Sequence, residues 1–281
     1  MRTMLKWMGM LGLLCCALNA VALDLGGLRD KLKAEVPVNP KLIEAAKELK
    51  GPDESEETAI GRQIAGNLLG ASPLVKDARL QKYVNQVGTW VASQSERPDL
   101  PWHFGVIQST DVNAFAAPGG YIFVTLGLYR LLQNEADLAG VLGHEIGHVI
   151  RKHHLKVLQQ SKLLDAGSKA LSKQAGGNDK VQQLIGSGAE IVARGLDKDA
   201  EFEADRIGVV LATRAGYDAY GLPGVLQQIG HFAKDEDNVA LLFKTHPHPD
   251  DRLVQLDNAM ADRFDRVKGA TLDKRFYRPK K

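Results

Sequence analysis

The sequence contains little cysteine and almost no net charge. Only two of its 281 residues are cysteines, and this adjacent pair, Cys15 and Cys16, lies in a leader that we expect to be removed. A mature chain without cysteine excludes a fold held together by disulfides. The 36 basic and 34 acidic residues leave a net charge of +2, so composition does not suggest nucleic acid or anionic lipid as a partner.

Long apolar runs are also missing beyond the N-terminus. No later stretch approaches the ~20 apolar residues of a transmembrane helix, so we expect no membrane span in the mature chain. At the N-terminus, Arg2 and Lys6 precede an apolar run at 7–17, and small residues follow at 20–22. This layout predicts a secretory signal peptide over residues 1–22, with cleavage after its last residue. A retained N-terminal anchor is the alternative.

A lipid anchor is a further alternative for the same segment. Leu13 and Leu14 precede Cys15 and Cys16, which loosely resembles a lipobox. The residue before a lipidated cysteine is usually small, and here it would be Leu14 or Cys15. Simple cleavage therefore remains the prediction, and lipidation is second to it.

Three segments are expected after the leader. The polar, mixed-charge stretch 23–53 is interrupted by prolines and predicts an extended or partly helical lead-in. A single domain is expected over 54–266. Residues 267–281 are expected to form a basic C-terminal tail. Its basic run at 274–281 is expected to be solvated, with contact to an acidic partner as the alternative.

The domain pattern predicts an α+β fold that is mainly α-helical. Apolar residues at spacings of three and four predict a helix over 77–93, and 54–69 also has helical character. Strand-type composition at 102–107 and 121–125, with a Pro-Gly-Gly turn at 118–120, predicts a hairpin. Two further helices are predicted around a loop in 155–196. Others are predicted over 199–215, after Pro223 and through 253–260.

A helix that begins at Asn134, a good N-cap residue, carries the candidate chemistry. Residues 144–148 read H-E-x-x-H. Positions four apart share a helix face, so His144 and His148 can bind one metal ion. A catalytic zinc lowers the pKa of a bound water towards ~7, and Glu145 can take the proton of that water.

So short a motif also occurs as two surface histidines beside a glutamate, which is the alternative interpretation. The context of the motif argues against it. Gly143 and Gly147 lie within an apolar helix, where glycine costs roughly 1 kcal/mol relative to alanine. We therefore expect another backbone to approach this helix closely.

The predicted helix over 199–215 supplies a third metal ligand. Glu201 and Asp205 are four apart and share a face, whereas Glu203 points elsewhere and is expected to be solvated or paired with a cation. We assign Glu201 to zinc. Asp205 is expected to bond the far ring nitrogen of His144 or His148 and to fix its tautomer. The alternative is a solvated acidic face.

The two motifs together resemble those of the HtpX and CAAX prenyl protease family of gluzincin metallopeptidases. Residues 134–148 match N-E-x-x-L-A-x-V-L-x-H-E-x-x-H, and 201–205 with Gly208 match E-x-x-x-D followed by glycine. The resemblance covers roughly 54–266. It implies a zincin-like metallopeptidase domain with a small β-sheet beside the H-E-x-x-H helix. It also implies one zinc ion per chain, held by His144, His148 and Glu201.

The absence of membrane spans narrows the resemblance to a soluble or lipid-tethered periplasmic branch. That branch resembles outer-membrane quality-control proteases and the mitochondrial Oma-type enzyme. It implies a location in the periplasm of a Gram-negative bacterium and unfolded or misassembled polypeptides as substrates. Outer-membrane assembly machinery is a candidate partner, and prenylated substrates are not expected.

A short segment beside the predicted turn fits the same branch. It is expected to form the edge strand of the active-site sheet, where an extended peptide can bind by main-chain hydrogen bonds. Such binding would tolerate many sequences, as clearance of misfolded proteins requires. The segment consists of Asn113, Ala114, Phe115 and Ala116.

The T-H-P segment at 245–247, with Arg252 as support for its loop, is a further family feature. Prolines stiffen this loop, so His246 is expected to approach the zinc. It would then stabilise the oxyanion or act as an inhibitory fourth ligand. The alternative is a loop histidine bonded to backbone. The remaining histidines with no comparable context are expected to be structural or exposed: His103, His153, His154 and His231.

Two other functions remain open at this point. The first is a zinc-bearing chaperone or assembly adaptor that binds polypeptides and seldom cuts them. The second is a structural metal site that His246 closes permanently as fourth ligand. An intact Glu145 argues against a dead enzyme, but it does not argue against an inhibited one.

Overall fold

The computed structural model of the chain describes residues 52–159, 196–233, 236 and 238–279. These residues form a mainly helical domain with a three-stranded sheet, which confirms the predicted fold class. The elements in chain order are α1 (Glu54–Ala71), α2 (Ala78–Ala92), β1 (His103–Ile107), β2 (Ala114–Ala117), β3 (Tyr121–Thr125), α3 (Leu126–Leu131), α4 (Glu135–Ile150), α5 (Lys198–Arg214), α6 (Gly221–Gly230), α7 (Ala240–Thr245) and α8 (Pro249–Met260).

The helices begin where the sequence carries capping side chains. Asp53 and Glu56 form a capping box at α1, and Asp77 accepts two backbone N–H groups at the start of α2. The predicted apolar face of α2 is fully buried against the sheet and the helical core. That face consists of Leu80, Val84, Val87 and Val91.

The sheet has the strand order β1-β3-β2. β2 forms an antiparallel hairpin with β3 around the Pro-Gly-Gly turn, in a register that pairs Ala114 with Val124. The predicted hairpin of 102–107 with 121–125 is wrong, because β2 lies between these segments in the chain and takes the antiparallel place beside β3. The turn between β2 and β3 holds Gly119 and Gly120 at φ 73° and 92°, a region that glycine enters without strain. β1 pairs with β3 in parallel, so β2 forms an edge of the sheet.

Helix α4 runs through the centre of the domain. Every residue from Glu135 to Val149 is buried, so the helix has no solvent face. A helix that is apolar on most sides belongs in a core, and α4 packs against α2, α5, α6 and the sheet. The polar side chains of the H-E-x-x-H motif therefore point into the interior of the protein.

Helices α4 and α5 approach each other at glycine. A Cβ on Gly143 would lie 2.8 Å from the Gly208 carbonyl oxygen, and one on Gly208 would lie 2.7 Å from the His144 nitrogen. Gly147 lies similarly close to Ala204. The close approach of another backbone, predicted from the glycines of the motif helix, is confirmed.

The C-terminal run differs from the prediction of a solvated tail. Phe276 is only 6% exposed and stacks on Tyr129, with ring centroids 5.1 Å apart. Arg278 donates to the carbonyl oxygens of Leu132 and Gln133, both at 2.9 Å, where α3 ends. The prediction is wrong for Phe276 and Tyr277, whose rings pack against the core, and for Arg278, whose guanidinium group binds carbonyls that the end of α3 leaves free.

No helix in the described part of the chain is both long and apolar enough to cross a membrane. The predicted signal peptide, both cysteines and nearly all of the lead-in lie outside the described residues. The same holds for most of the region 155–196, in which two helices are predicted.

Candidate metal centre

Helix α4 places its two motif histidines on one buried face. Asn134 caps the helix by accepting the N–H of Asp137, which fixes where the helix begins. Further along this helix, His144 and His148 lie one turn apart and are 3% and 1% exposed. Their Nε2 atoms lie 3.0 Å apart. Burial lowers the pKa of both imidazoles, so both are neutral at pH 7 and have a lone pair available for a metal.

Helix α5 brings Glu201 to the same point. Its two carboxylate oxygens lie 3.7 Å from His144 Nε2 and 3.5 Å from His148 Nε2. Neither oxygen has a hydrogen-bond partner in the described part of the chain, and the residue is fully buried. Burial raises the pKa of Glu201 well above its usual range. A carboxylate in these surroundings calls for a cation as its partner.

A fourth donor reaches the cluster from the C-terminal end of α7. His246 Nε2 lies 3.8 Å from Glu201 Oε2, and its ring centroid is 5.6 Å from that of His144. One ligand atom from each of His144, His148, Glu201 and His246 lies within 4.8 Å of the others. Imidazole nitrogens and one carboxylate oxygen are a donor set that suits zinc, so the residues present fit the metal that the motif implies.

The far nitrogen of His144 has a carboxylate partner. His144 Nδ1 lies 2.8 Å from Asp205 Oδ1. Arg252, on α8, is buried and donates to both oxygens of Asp205, at 2.5 and 2.9 Å. Burial opposes ionisation of Asp205, but the Arg252 charge and its hydrogen bonds hold the pKa of this carboxyl well below its usual range.

Two predicted roles are thereby refined. Asp205 contacts His144, one of the two histidines that the sequence allowed. Arg252 bonds Asp205 through its side chain, a contact that the sequence did not predict. Arg252 lies on α8, and its side chain also approaches Nδ1 of His144 at 3.3 Å.

Glu145 lies beside the cluster and is also buried, with 3% exposure. Burial raises the pKa of its carboxyl to about 8. A general base works best when its pKa lies near the operating pH. The carboxyl of Glu145 can therefore hold or release a proton under neutral conditions.

A small cleft joins the cluster to the edge strand. Glu145, His148 and His246 line it from one side, and residues 114–116 of β2 line it from the other. Asn113, at the start of this strand, is fully buried, and its Nδ2 has no partner in the described part of the chain. The predicted edge segment therefore lies directly beside the candidate base and metal ligands.

The other histidines divide into two groups. His103 and His231 are exposed, as expected. His153 and His154 are 4% and 8% exposed, with ring centroids 5.2 and 5.6 Å from that of His148. Sequence reasoning missed the contact of His153 with His148, because a spacing of five does not place two residues on one helix face.

Buried imidazoles one helical turn apart, a carboxylate from a neighbouring helix and a buried glutamate beside them define a metallopeptidase centre of the zincin type. The sequence comparison specifies the family. Residues 78–260 match the model of peptidase family M48, and the chain belongs to this family. The resemblance drawn from the motifs of α4 and α5 is confirmed.

Individual relatives share less than a third of their residues with the chain. The beta-barrel assembly-enhancing protease of Escherichia coli (strain K12) is 32% identical over 213 residues, which cover 72% of this chain and 43% of that protein. The mitochondrial metalloendopeptidase OMA1 of Arabidopsis thaliana is 29% identical over 200 residues, which cover 70% and 40%. The metalloprotease YcaL of Escherichia coli (strain K12) is 27% identical over 202 residues, which cover 70% and 75%. The chain thus spans under half the length of the first two relatives.

Proposed function

We propose that the protein is a zinc-dependent endopeptidase that binds one zinc ion per chain through His144, His148 and Glu201. The observation that carries the proposal is the convergence of their ligand atoms, together with a buried Glu201 carboxylate that no described group bonds. Zinc at this place would supply a Lewis acid that polarises the scissile carbonyl and activates water. Asp205 orients the His144 ring through Nδ1, and Arg252 keeps that carboxylate ionised.

Glu145 is proposed as the general base. Its carboxylate takes a proton from the attacking water and returns it to the leaving amine as the peptide bond breaks. Burial raises the pKa of Glu145 to about 8, which suits both the uptake of the proton from water and its release to the amine. The residue has no competing ion pair within hydrogen-bond distance among the described residues, so its carboxyl remains available for the proton.

The substrate is proposed to be an extended, unfolded polypeptide. β2 has a strand partner on one side only among the described strands, and its residues 114–116 face the cleft of Glu145. A peptide that adds to this edge would be held by its main chain, with its scissile carbonyl beside the base. Main-chain binding of this kind places few demands on the substrate sequence.

The cellular role is proposed from the relatives. A chain similar to beta-barrel assembly-enhancing proteases would act on misfolded or misassembled envelope proteins, in contact with outer-membrane assembly machinery. The predicted signal peptide supports the periplasm of a Gram-negative bacterium as its location, with tethering by lipid as the alternative. Relatives that are named as proteases do not favour the adaptor function.

His246 is proposed to act at the fourth position of the metal. Its Nε2 lies near Glu201 at the mouth of the cleft, so it can stabilise the oxyanion or hold the site inactive as a ligand. Replacement by alanine distinguishes the two roles: hydrolysis falls in the first and rises in the second. Unchanged peptide hydrolysis and unchanged metal content in this variant would exclude both roles.

The decisive experiment compares casein degradation by the wild type and Glu145→Gln, with zinc content measured in both. We expect equal zinc content and a loss of 10²–10⁴-fold or more in hydrolysis, as for removal of a general base. Glu236→Gln, an exposed position, is the matched control and should cleave normally. A wild type that binds zinc but cleaves nothing would contradict the proposal and favour the adaptor function.

A further inference from the structure

The two motif histidines differ in what supports their far ring nitrogens. His148 turns Nε2 towards His144 and Glu201, at 3.0 and 3.5 Å. Its other nitrogen, Nδ1, lies 2.9 Å from Nδ1 of His153. Among the described residues, no carboxylate contacts Nδ1 of His148, whereas Asp205 contacts Nδ1 of His144. The contact that takes the place of the carboxylate is therefore a second imidazole.

His153 connects this contact to an acidic residue on α5. Its ring is 4% exposed, and its Nε2 lies 3.3 Å from Oε2 of Glu203. The other oxygen of Glu203 forms an ion pair with Nε of Arg151 at 3.0 Å. The chain reaches this arrangement because Lys152 takes a positive φ of 57°, which folds His153 back against the end of α4.

The tautomers of the two imidazoles fix the direction of the hydrogen bonds from His148 through His153 to Glu203. A neutral imidazole has one nitrogen that donates and one that accepts. If Nε2 of His148 offers its lone pair to a metal, Nδ1 carries the hydrogen and donates it to His153. His153 then accepts at Nδ1 and donates from Nε2, and the carboxylate of Glu203 can only accept. With the hydrogen bonds running from His148 to His153 to Glu203, each donor has an acceptor.

We propose that His153 and Glu203 are positioning residues for His148. They fix its tautomer and ring orientation and raise its affinity for the metal. Each motif histidine would then be oriented by a carboxylate: Asp205 acts directly on His144, and Glu203 acts on His148 through His153. Each terminal carboxylate is paired with an arginine, Arg252 and Arg151 respectively. Outer partners of this kind typically contribute 10–100-fold to metal affinity.

The inference rests on the proposed metal site, and its test reads metal affinity apart from hydrolysis. The zinc dissociation constant is measured by competition with a chromogenic chelator for the wild type, His153→Phe, His153→Asn and Glu203→Gln. We expect His153→Phe to bind zinc 10–100-fold more weakly, because the acceptor for His148 is lost. His153→Asn keeps a side-chain oxygen near the position of Nδ1 and should recover part of the affinity. Glu203→Gln should fall between the wild type and His153→Phe.

Two controls separate positioning from general damage. His103→Phe, on an exposed part of β1, should leave zinc affinity unchanged. Thermal unfolding of the zinc-free proteins shows whether His153→Phe has folded, and the asparagine variant provides a second test if it has not.

The outcomes distinguish the failure of this inference from the failure of the proposed function. A wild type that binds no zinc would overturn the metal site itself. A wild type that binds zinc tightly, with the same dissociation constant in folded His153→Phe, would overturn only the positioning role.

Discussion

The carboxylate of Glu57 lies 3.0 Å from the ammonium group of Lys152, just past the C-terminal end of the helix that carries His144 and His148. The same carboxylate binds both terminal nitrogens of Arg97 and accepts the N–H of Gly119 in the turn before β3. One buried residue on α1 thus joins the edge-strand hairpin to the end of α4. This link adds to the direct packing of the hairpin against the motif helix.

Stability should therefore depend on the charge of Glu57. Burial opposes its ionisation, but hydrogen bonds from Arg97 and Lys152 outweigh burial and lower its pKa below the ordinary 4.5. Since the folded state binds the proton less readily than the unfolded chain, this contribution is fully present above pH 4.5 and is lost as the pH falls through the lowered value. Urea unfolding from pH 7 to pH 3 should show the decline.

Glu57→Gln isolates this contribution. We expect it to lower the free energy of unfolding by about 1–3 kcal/mol at pH 7, because Arg97 loses a buried partner. The difference from the wild type should shrink as the pH falls. Glu54→Gln, whose side chain is 65% exposed, should cost less than ~1 kcal/mol. A pH-independent difference for Glu57→Gln would show that the charge is not the cause.

The glycine contact between α4 and α5 should tolerate no side chain. Gly143→Ala would place its Cβ 2.8 Å from a backbone oxygen of α5, and backbone cannot move aside as a side chain can. We expect overpacking to cost about 1–3 kcal/mol and to weaken zinc binding by separating Glu201 from the histidines. Gly66→Ala, with open space around its Cβ, should be neutral or stabilising. Equal melting temperatures and zinc content in both variants would contradict this prediction.

The sequence predicts those features of this site that depend on residues close together in the chain. The H-E-x-x-H spacing, the Asn134 cap and the glycines of α4 all lie on one helix, so periodicity suffices to predict them. Asp205 is also recognisable, because it stands one turn from Glu201. Its contact with Arg252 links residues far apart in the chain and leaves no periodic trace.

The remaining differences have similar physical causes. Lys152 breaks the helical rise with a positive φ, so a five-residue spacing brings His153 onto His148 where a continuous helix would separate them. The parallel pairing of β1 with β3 depends on tertiary packing, and strand composition cannot distinguish it from antiparallel pairing. The docked C-terminal run differs from the prediction because its basic residues outnumber the aromatic ones that decide its position.

Arg252 should be indispensable to the centre. Arg252→Met removes the guanidinium group that pairs with Asp205 and leaves a buried carboxylate without its ion pair. We expect a loss of about 3–5 kcal/mol in stability. Zinc affinity should fall 10–100-fold as His144 loses its fixed orientation. Arg263→Met, at an exposed position after α8, is the control. Zinc titration and thermal unfolding measure both effects, and normal zinc affinity in Arg252→Met would contradict the role.

The docking of the C-terminal run should contribute to stability. Phe276→Ala removes a ring that is 6% exposed and stacks on Tyr129, so we expect a cost of about 3–5 kcal/mol. Val254→Ala, at a position 59% exposed on α8, should change stability by less than ~0.5 kcal/mol. Chemical denaturation of both variants measures the difference, and a cost for Phe276→Ala as small as for the control would mean that the segment is only loosely docked.

The glycine contact between α4 and α5 also determines when the centre comes into existence. The two histidines are neighbours on one helix, but Glu201 comes from a distant part of the chain and reaches them only after Gly143 and Gly208 have met. An unfolded chain therefore lacks the complete set of three proposed zinc ligands, which is assembled only when the two helices pack. A protease built in this way cannot attack its neighbours before it has folded.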